Sequence, residues 1–416
     1  MSDGGTVVEH VTCLGCGCAC DDIAVVVRAG RIIEARGACV LGGEWFGDGV
    51  VPAAAALSGA PAAVDAAIDA AAAVLRAARR ALVYLATDIS CETQRAAVAI
   101  ADVLHGTVDG VSGAVAPGIL AAQRRGRATA TLGEIRNRAD LMVFWGTDPG
   151  ARYPRFATRY APARAGLFVP EGRRGRVVVA VDVGAEQGIA DADERIAIAP
   201  AEELDAVAAL RAALAGRALD GPLAGRMAPL AARLRAARYG AVIYDAEPSR
   251  RDRGELADEL IALVQGANAS TRCSLVALRA GGNRSGAEAV LTWQTGFPMM
   301  VDFSRGAPRY RPDEDAAALL RAGQADTVLI VGDPRAAALP LGGARRVLIG
   351  PRATLVAPPA TVAIDTAVAG IHEEGTAVRM DDIPVRLRAP LAGPPAAATV
   401  LRTLVTRLAA DGERPA

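Results

Sequence analysis

Short apolar runs alternate with longer stretches of helical periodicity over most of this chain. The runs Ala81–Leu85, Leu141–Trp145, 177–181, 241–244, Thr327–Val331 and 346–349 are compact and rich in β-branched or aromatic residues, which predicts strands. Segments such as 201–215 and 255–265 space their apolar residues three to four apart, which predicts helices. Strand alternating with helix points to a mostly parallel, doubly wound α/β sheet. The Ala-rich stretch 52–80 has helical spacing, with Asp65 and Asp69 four apart on one face, and predicts a helix after a linker. At the start, the run 23–27 and the turn Arg28-Ala29-Gly30-Arg31 predict a small strand-rich module closed by a hairpin. From about Pro358 the chain reads as a loop-dominated return followed by a terminal helix.

Composition narrows the class. With 416 residues, 52% hydrophobic and 22% charged, the chain is globular and can bury more than one core. The 46 basic side chains, all Arg, cancel the 46 acidic ones, so no global field gathers phosphate backbones or an anionic membrane. Nucleic acid and membrane are therefore not expected partners. The first ten residues lack the basic start and apolar core of a secretory signal, and acidic or Arg residues interrupt every long apolar stretch, so the expected compartment is the cytoplasm.

In that compartment the seven cysteines are expected as ligands, nucleophiles or core residues rather than disulfides. Five fall within the first 39 residues, in CLGCGCACDDI and RGACV. Cys13, Cys16 and Cys20, with the distant Cys39, can converge four thiolates on one centre, as an iron–sulfur cluster requires. A tetrathiolate zinc site uses the same number of ligands, and a metal-free vestige is the third reading. Cys18 is then spare. Cys91 follows a strand and opens a helix, a position that can lower a thiol pKa, but single cysteines such as Cys91 and Cys273 are more often core residues. His10, His105 and His372 are scattered singly, with no paired-ligand spacing, which removes support for a histidine metal site or a Ser-His-Asp centre. The stretches 124–127 and 173–176 are Arg-rich and can bind phosphate, although a solvated or subunit-contact face is the expectation at neutral net charge.

Two strands end alike: LMVFWGTDP (141–149) and TVLIVGDP (327–334) both run into Gly and then Asp-Pro. Glycine lets the backbone turn sharply and approach a ligand, and Asp-Pro blocks immediate helical continuation. Ligands of open α/β sheets sit beyond the carboxyl ends of strands, so these exits are candidate nucleotide-arm sites as well as ordinary turns.

CLGCGCACDDI, RGACVLGGEWF, TDISCETQ, TLGEIRNRADLMVFWGTDP, VLTWQTGFPMMVDFSRGAPRY and HEEGTAVRMDD carry a resemblance over nearly the whole length. The chain resembles the B subunit of formylmethanofuran dehydrogenase, a molybdopterin-oxidoreductase-like family of molybdenum or tungsten enzymes. The resemblance implies an N-terminal Fe-S-type module over 1–52 and a first α/β domain in two parts, 53–123 and 285–370. A second α/β domain is inserted at 124–284, and a return segment with a helix occupies 371–416. No C-terminal β-barrel is expected, because a separate small subunit supplies it in the family. The resemblance also implies that Cys13, Cys16, Cys20 and Cys39 hold a 4Fe-4S cluster. Gly146, Thr147, Asp148, Gly332 and Asp333 would line the arms of a metal-bound pair of pterin-guanine dinucleotides.

One departure stands out in 107–123, TVDGVSGAVAPGILAAQ, where active relatives carry Cys-His-Gly-Pro. Alignment back from Gln123 and Pro117 puts Ala114 and Val115 at the metal-ligand and proton-relay positions. A methyl group donates to no metal and an isopropyl group passes no proton. Ser112 is a rescue ligand if the loop slips by two residues, but nothing replaces the imidazole. Cys91 belongs to a separate feature of the family, and neither Arg279 nor Arg305 aligns securely with its active-site arginine.

A B-type chain without that pair resembles its counterpart in the bacterial formyltransferase/hydrolase complex. That complex moves formyl groups between tetrahydromethanopterin, a methanofuran-like carrier and formate. The expectation is a redox-inactive, mainly structural chain next to amidohydrolase-type A, C and D subunits, with molybdenum or tungsten absent. The alternatives are a working redox chain acting on CO2 or formate and a zinc-stabilised interaction module.

Overall fold

The structure, a computed structural model, describes residues 5–112, 116–150, 152–217, 220–247 and 253–410. Within them the elements run β1 (Thr6–Val11), β2 (Ile23–Arg28), β3 (Arg31–Arg36), α1 (Val40–Phe46), β4 (Ala55–Leu57), β5 (Ala60–Ala62), α2 (Val64–Arg76), β6 (Ala81–Leu85), α3 (Cys91–Val103) and β7 (Thr107–Gly110). There follow α4 (Ala116–Arg125), α5 (Leu132–Arg138), β8 (Leu141–Trp145), β9 (Val177–Val183), β10 (Glu194–Ile198), α6 (Glu203–Leu214), α7 (Pro222–Ala236), β11 (Gly240–Asp245), α8 (Arg253–Ala267) and β12 (Cys273–Leu278). The last stretch holds α9 (Arg284–Thr295), β13 (Val301–Asp302), β14 (Arg309–Tyr310), α10 (Ala316–Arg321), β15 (Thr327–Val331), β16 (Arg345–Gly350), β17 (Val362–Asp365), β18 (Gly375–Val378), β19 (Pro384–Leu387) and α11 (Ala397–Ala410).

These elements form a mixed α/β protein of two compact units. Unit 1 comprises 1–113, 281–379 and 384–416, and unit 2 comprises 114–280 and 380–383. In unit 1 the described strands β1, β2 and β3 make an antiparallel sheet, and a nine-stranded sheet runs β14-β13-β7-β6-β15-β16-β17-β4-β5. Its centre, β7 to β17, is parallel, while antiparallel pairs close both edges. The parallel part reverses direction between β6 and β15, because β7 lies on one side of β6 and the later strands on the other.

Unit 2 carries a wholly parallel five-stranded sheet, β10-β9-β8-β11-β12, that reverses between β8 and β11. Every residue of β8 and β11 is buried, as expected of parallel strands covered by helices on both faces. Val143, Val179 and Val242 from the strands pack with Leu210, Leu230 and Leu260 from the helices in one core. Burial of each such side chain stabilises by about 1.5–3 kcal/mol.

The continuous helix expected over 52–80 is not what forms. Ser58 and Gly59 both take positive φ, 48° and 87°, and turn β4 back onto β5 before α2 begins. Two consecutive left-handed residues are what a tight hairpin turn demands, and alanines flanking them carry no period that separates strand from helix. Asp65 and Asp69 do lie exposed on α2, with Asp69 paired to Arg407 at 2.9 Å.

Candidate functional site

The loop between β1 and β2 carries four of the cysteines. It doubles back on itself: the Cys13 N–H donates to the Cys20 carbonyl at 2.8 Å, and the Ala19 N–H to that of Cys16 at 3.1 Å. Cys39 stands at the start of α1. Glycines let the loop and helix meet. A Cβ on Gly15 would lie 2.6 Å from the Leu41 carbonyl oxygen, and one on Gly42 would lie 3.1 Å from the Cys13 sulfur. The Gly15 N–H points at that sulfur, 3.4 Å away. Burial pushes the Cys13 thiol up to about 12, the Gly15 hydrogen bond pulls it down, and the charges of Cys20, Cys16 and Cys39 raise it further. The other three thiols therefore stand close enough to act on Cys13. Cys13, Cys16, Cys18 and Cys20 are all buried, and Cys39 is half-buried. Among the described residues no group of three or more His, Cys, Asp or Glu side chains is arranged to hold a metal ion.

The glycine-ended strands lie at the two points where strand order reverses. In unit 2, Gly146 follows β8 with φ 56°, and its N–H donates to the Val181 carbonyl at 2.8 Å. Thr147 is buried, and the Asp148 carboxylate accepts from the backbone N–H groups of Gly150 (2.8 Å) and Ala190 (3.1 Å). In unit 1, Gly332 follows β15 with φ 102°, where a Cβ would meet Ala86, Ile89 and an Asp88 oxygen within 3.1 Å. The Asp333 N–H donates to Asp88, and the Asp333 carboxylate accepts two-pronged donation from the Arg335 guanidinium.

A cavity of about 400 Å³ opens at this unit 1 switch point. Asp88, Asp333, Arg335, Arg352, His372 and Trp45 line it. Nδ1 of His372 accepts from the Val368 N–H at 3.4 Å, and burial holds the imidazole pKa below the usual value. Sequence reasoning missed Asp88, Arg352 and Trp45. Asp88 could have been found, since it follows the apolar run Ala81–Leu85 as Asp148 and Asp333 follow theirs.

Other residues singled out in the sequence have structural surroundings. Cys91 opens α3, but burial pushes its thiol up to about 11, so the helix start does not activate it; Asn283 donates to its sulfur at 3.5 Å. Cys273, at the start of β12, is pushed up to about 12 by burial. The Arg-rich stretches are engaged inside unit 2: Arg125 pairs with Asp258, Arg127 with Asp382, and Arg173 with Asp191 and Asp193. Arg176 is buried and donates to the carbonyls of Ala139, Pro162, Arg164 and Arg136. His10, His105 and Arg305 are exposed, whereas Ser112 and Arg279 are buried. Ala114 and Val115 lie outside the described residues.

A two-unit α/β chain with parallel sheets, reversed strand orders and a four-cysteine loop packed on a short helix defines a narrow class of protein. No protein-family model matches the chain. It is 33% identical to the B subunit of the tungsten-containing formylmethanofuran dehydrogenase 2 of Methanocaldococcus jannaschii over 413 residues, covering 92% of this chain and 93% of that one. It is 33% identical over 282 residues to the B subunit of the formyltransferase/hydrolase complex Fhc of Methylorubrum extorquens, covering 66% and 74%. Its structure matches a chain of the formyltransferase/hydrolase complex FhcABCD from that organism, solved with methylofuran, at a TM-score of 0.70 and 27% identity, over 86% of this chain and 99% of that one. The chain belongs to the B-subunit family of formylmethanofuran dehydrogenase.

Among the described residues no helix is long and apolar enough to cross a membrane.

Proposed function

We propose that this chain is the B-type component of a formyltransferase/hydrolase complex, built on a molybdopterin-oxidoreductase-like fold, with a 4Fe-4S cluster and without redox catalysis of its own. The carrying observation is the identity of two residues: Ala114 and Val115 stand where the family's metal ligand and proton relay are expected. Neither side chain has a lone pair or an exchangeable proton. The residues present thus do not fit a molybdenum or tungsten centre anchored from this loop. The chain's part is then to scaffold amidohydrolase-type A, C and D subunits in the cytoplasm while they pass a formyl group to a methanofuran-like carrier and hydrolyse it to formate. Hydrolysis needs no electron carrier, so the complex keeps that activity when the redox pair is lost.

The cysteine loop fits a cluster. A single zinc ion bonds sulfur at about 2.3 Å and draws four thiolates into a tight tetrahedron. A four-iron cluster presents a separate iron to each sulfur and accepts a wider set. Cys16, Cys20 and Cys39 all bear on the buried Cys13 thiol, and four sulfurs are the donor set such a cluster takes. When bound, such a cluster would offer one-electron chemistry. Cys13, Cys16, Cys20 and Cys39 would hold it, and the Gly15 N–H would donate to one of its sulfur ligands.

A second reading, a working dehydrogenase chain, is favoured by one observation: the relatives covering more than nine-tenths of the chain are named as tungsten enzymes. Elemental analysis of the complex purified under nitrogen separates the two. The proposal expects about four irons per chain and neither molybdenum nor tungsten. Stoichiometric molybdenum or tungsten with pterin overturns it, and zinc in place of iron overturns the cluster.

A further inference from the structure

We propose that the turn Gly281-Gly282-Asn283 is the back wall of the cluster seat, a positioning element that presses the Cys16 arm of the cysteine loop against α1. The inference rests on the cluster reading above. Three stretches of backbone are stacked without room for a side chain between them. On one side, a Cβ on Gly15 would sit 2.6 Å from the Leu41 carbonyl oxygen; on the other, a Cβ on Gly281 would sit 2.6 Å from the Gly15 oxygen and 3.1 Å from the Cys16 Cα. The Gly282 N–H closes the stack by donating to the Leu14 carbonyl at 2.8 Å.

The wall is anchored from behind. Asn283 is fully buried, and its side-chain nitrogen donates to the Ile89 carbonyl at 3.0 Å while its oxygen accepts from the Val378 N–H at 2.8 Å. Gln94 donates to the Asn283 carbonyl at 2.9 Å, and the Asn283 N–H donates to the Thr87 carbonyl. The seat is thereby fixed to the turn between β6 and α3 and to β18. Residues behind metal ligands set ligand orientation, and changing them typically weakens retention by about 10–100-fold.

Gly281→Ala tests this in the full chain reconstituted anaerobically with ferrous iron and sulfide. Gly43→Ala is the control: it lies in α1 beside Gly42, and a Cβ there meets nothing within 4 Å. Readouts are iron and sulfide per chain, the rate of iron loss to a chelator, the electron paramagnetic resonance of the reduced cluster, and a circular-dichroism melt. The expected result is iron loss about tenfold faster and altered g-values in Gly281→Ala, with Gly43→Ala matching wild type. If Gly281→Ala does not fold, Asn283→Ser cuts the anchor without adding an atom next to Gly15, and the same accelerated loss is expected. Wild-type retention and spectrum in a folded variant of either kind overturn the wall. A wild-type chain that takes up neither iron nor sulfide overturns the cluster reading, and the wall falls with it.

Discussion

Asp109 lies within β7, and replacing it with Asn should make the protein more stable at neutral pH than at acid pH relative to wild type. The side chain is buried, and one oxygen accepts from the Ala316 N–H at 2.8 Å. Burial raises its pKa to about 6 from 3.8, backbone N–H groups of Ala316, Gly110 and Met300 pull it down, and Asp315 raises it. Tyr84 and Tyr310 face the same carboxylate, and Arg284 acts on Tyr84. Because the folded pKa lies above the unfolded one, this group's contribution to stability is full below about pH 4 and is lost as pH rises through 6. Two units at 1.36 kcal/mol each put the loss at about 3 kcal/mol by pH 7.5. Asn keeps an acceptor for Ala316 and cannot ionise, so its pH dependence should be flatter. Melting temperatures of both proteins from pH 4.5 to 8 should converge at the acid end and part by roughly 3–6 °C at the alkaline end. Curves that run parallel across that window refute the reasoning, because a charged Asp109 would then not be the strained species.

Arg176 should be intolerant of Lys: its planar fork reaches four carbonyls at once, an ammonium cannot, and stranding two or three of them should cost unit 2 about 3 kcal/mol, visible as faster hydrogen exchange over 136–164. Ser90→Ala removes both the N-cap of α3, which accepts from the Thr93 N–H, and a 2.6 Å hydrogen bond to buried Glu373, so a loss of about 1–3 kcal/mol is expected in the melt, with the α3 amides exchanging first. Gly59→Ala puts a Cβ at φ 87° and within 3.2 Å of Pro359, so the melt should fall by about 1 kcal/mol equivalent, whereas Gly323→Ala, which meets open space, should show only the cost of its φ of 62°.

The strands that position the candidate site were legible because they are buried on both faces. Ala81–Leu85, Leu141–Trp145 and Thr327–Val331 coincide with β6, β8 and β15, and the other three runs fall inside β9, β11 and β16. A continuous apolar run bounded by Gly or Asp leaves little choice of element. The β4–β5 hairpin was illegible for the opposite reason: alanine suits a half-buried strand and a helix alike, and the informative pair, Ser58-Gly59, is too common to outweigh the run around it. Of the candidate site, the cysteine loop was readable from the spacing of Cys13, Cys16 and Cys20. The wall behind them was not, since Gly281 and Gly15 are 266 positions apart and a close approach of two backbones leaves no mark in composition. Asp88 carries the same post-strand signal as Asp148 and Asp333, and the pairing of β6 with β15 is what makes it a neighbour of Asp333.

The strand orders also bear on what the proposed loss of a redox pair would leave behind. Both sheets present carboxylates where their order reverses, Asp88 and Asp333 in unit 1 and Asp148 beside Gly146 in unit 2. Each carboxylate is also a structural part: Asp88 accepts from the Asp333 N–H, Asp333 caps the turn Pro334–Ala336, and Asp148 joins the β8 exit to the Ala190 N–H. Such residues stay useful to the fold whether or not a nucleotide arm ever reaches them. On the proposed reading the loop after β7 differs from them: Ala114 and Val115 stand where the family's metal ligand and proton relay are expected. On the proposed reading, loss of redox chemistry changes 114–115 and leaves the switch-point residues in place, so the strand exits alone do not separate that reading from a working dehydrogenase chain and the metal content of the complex does.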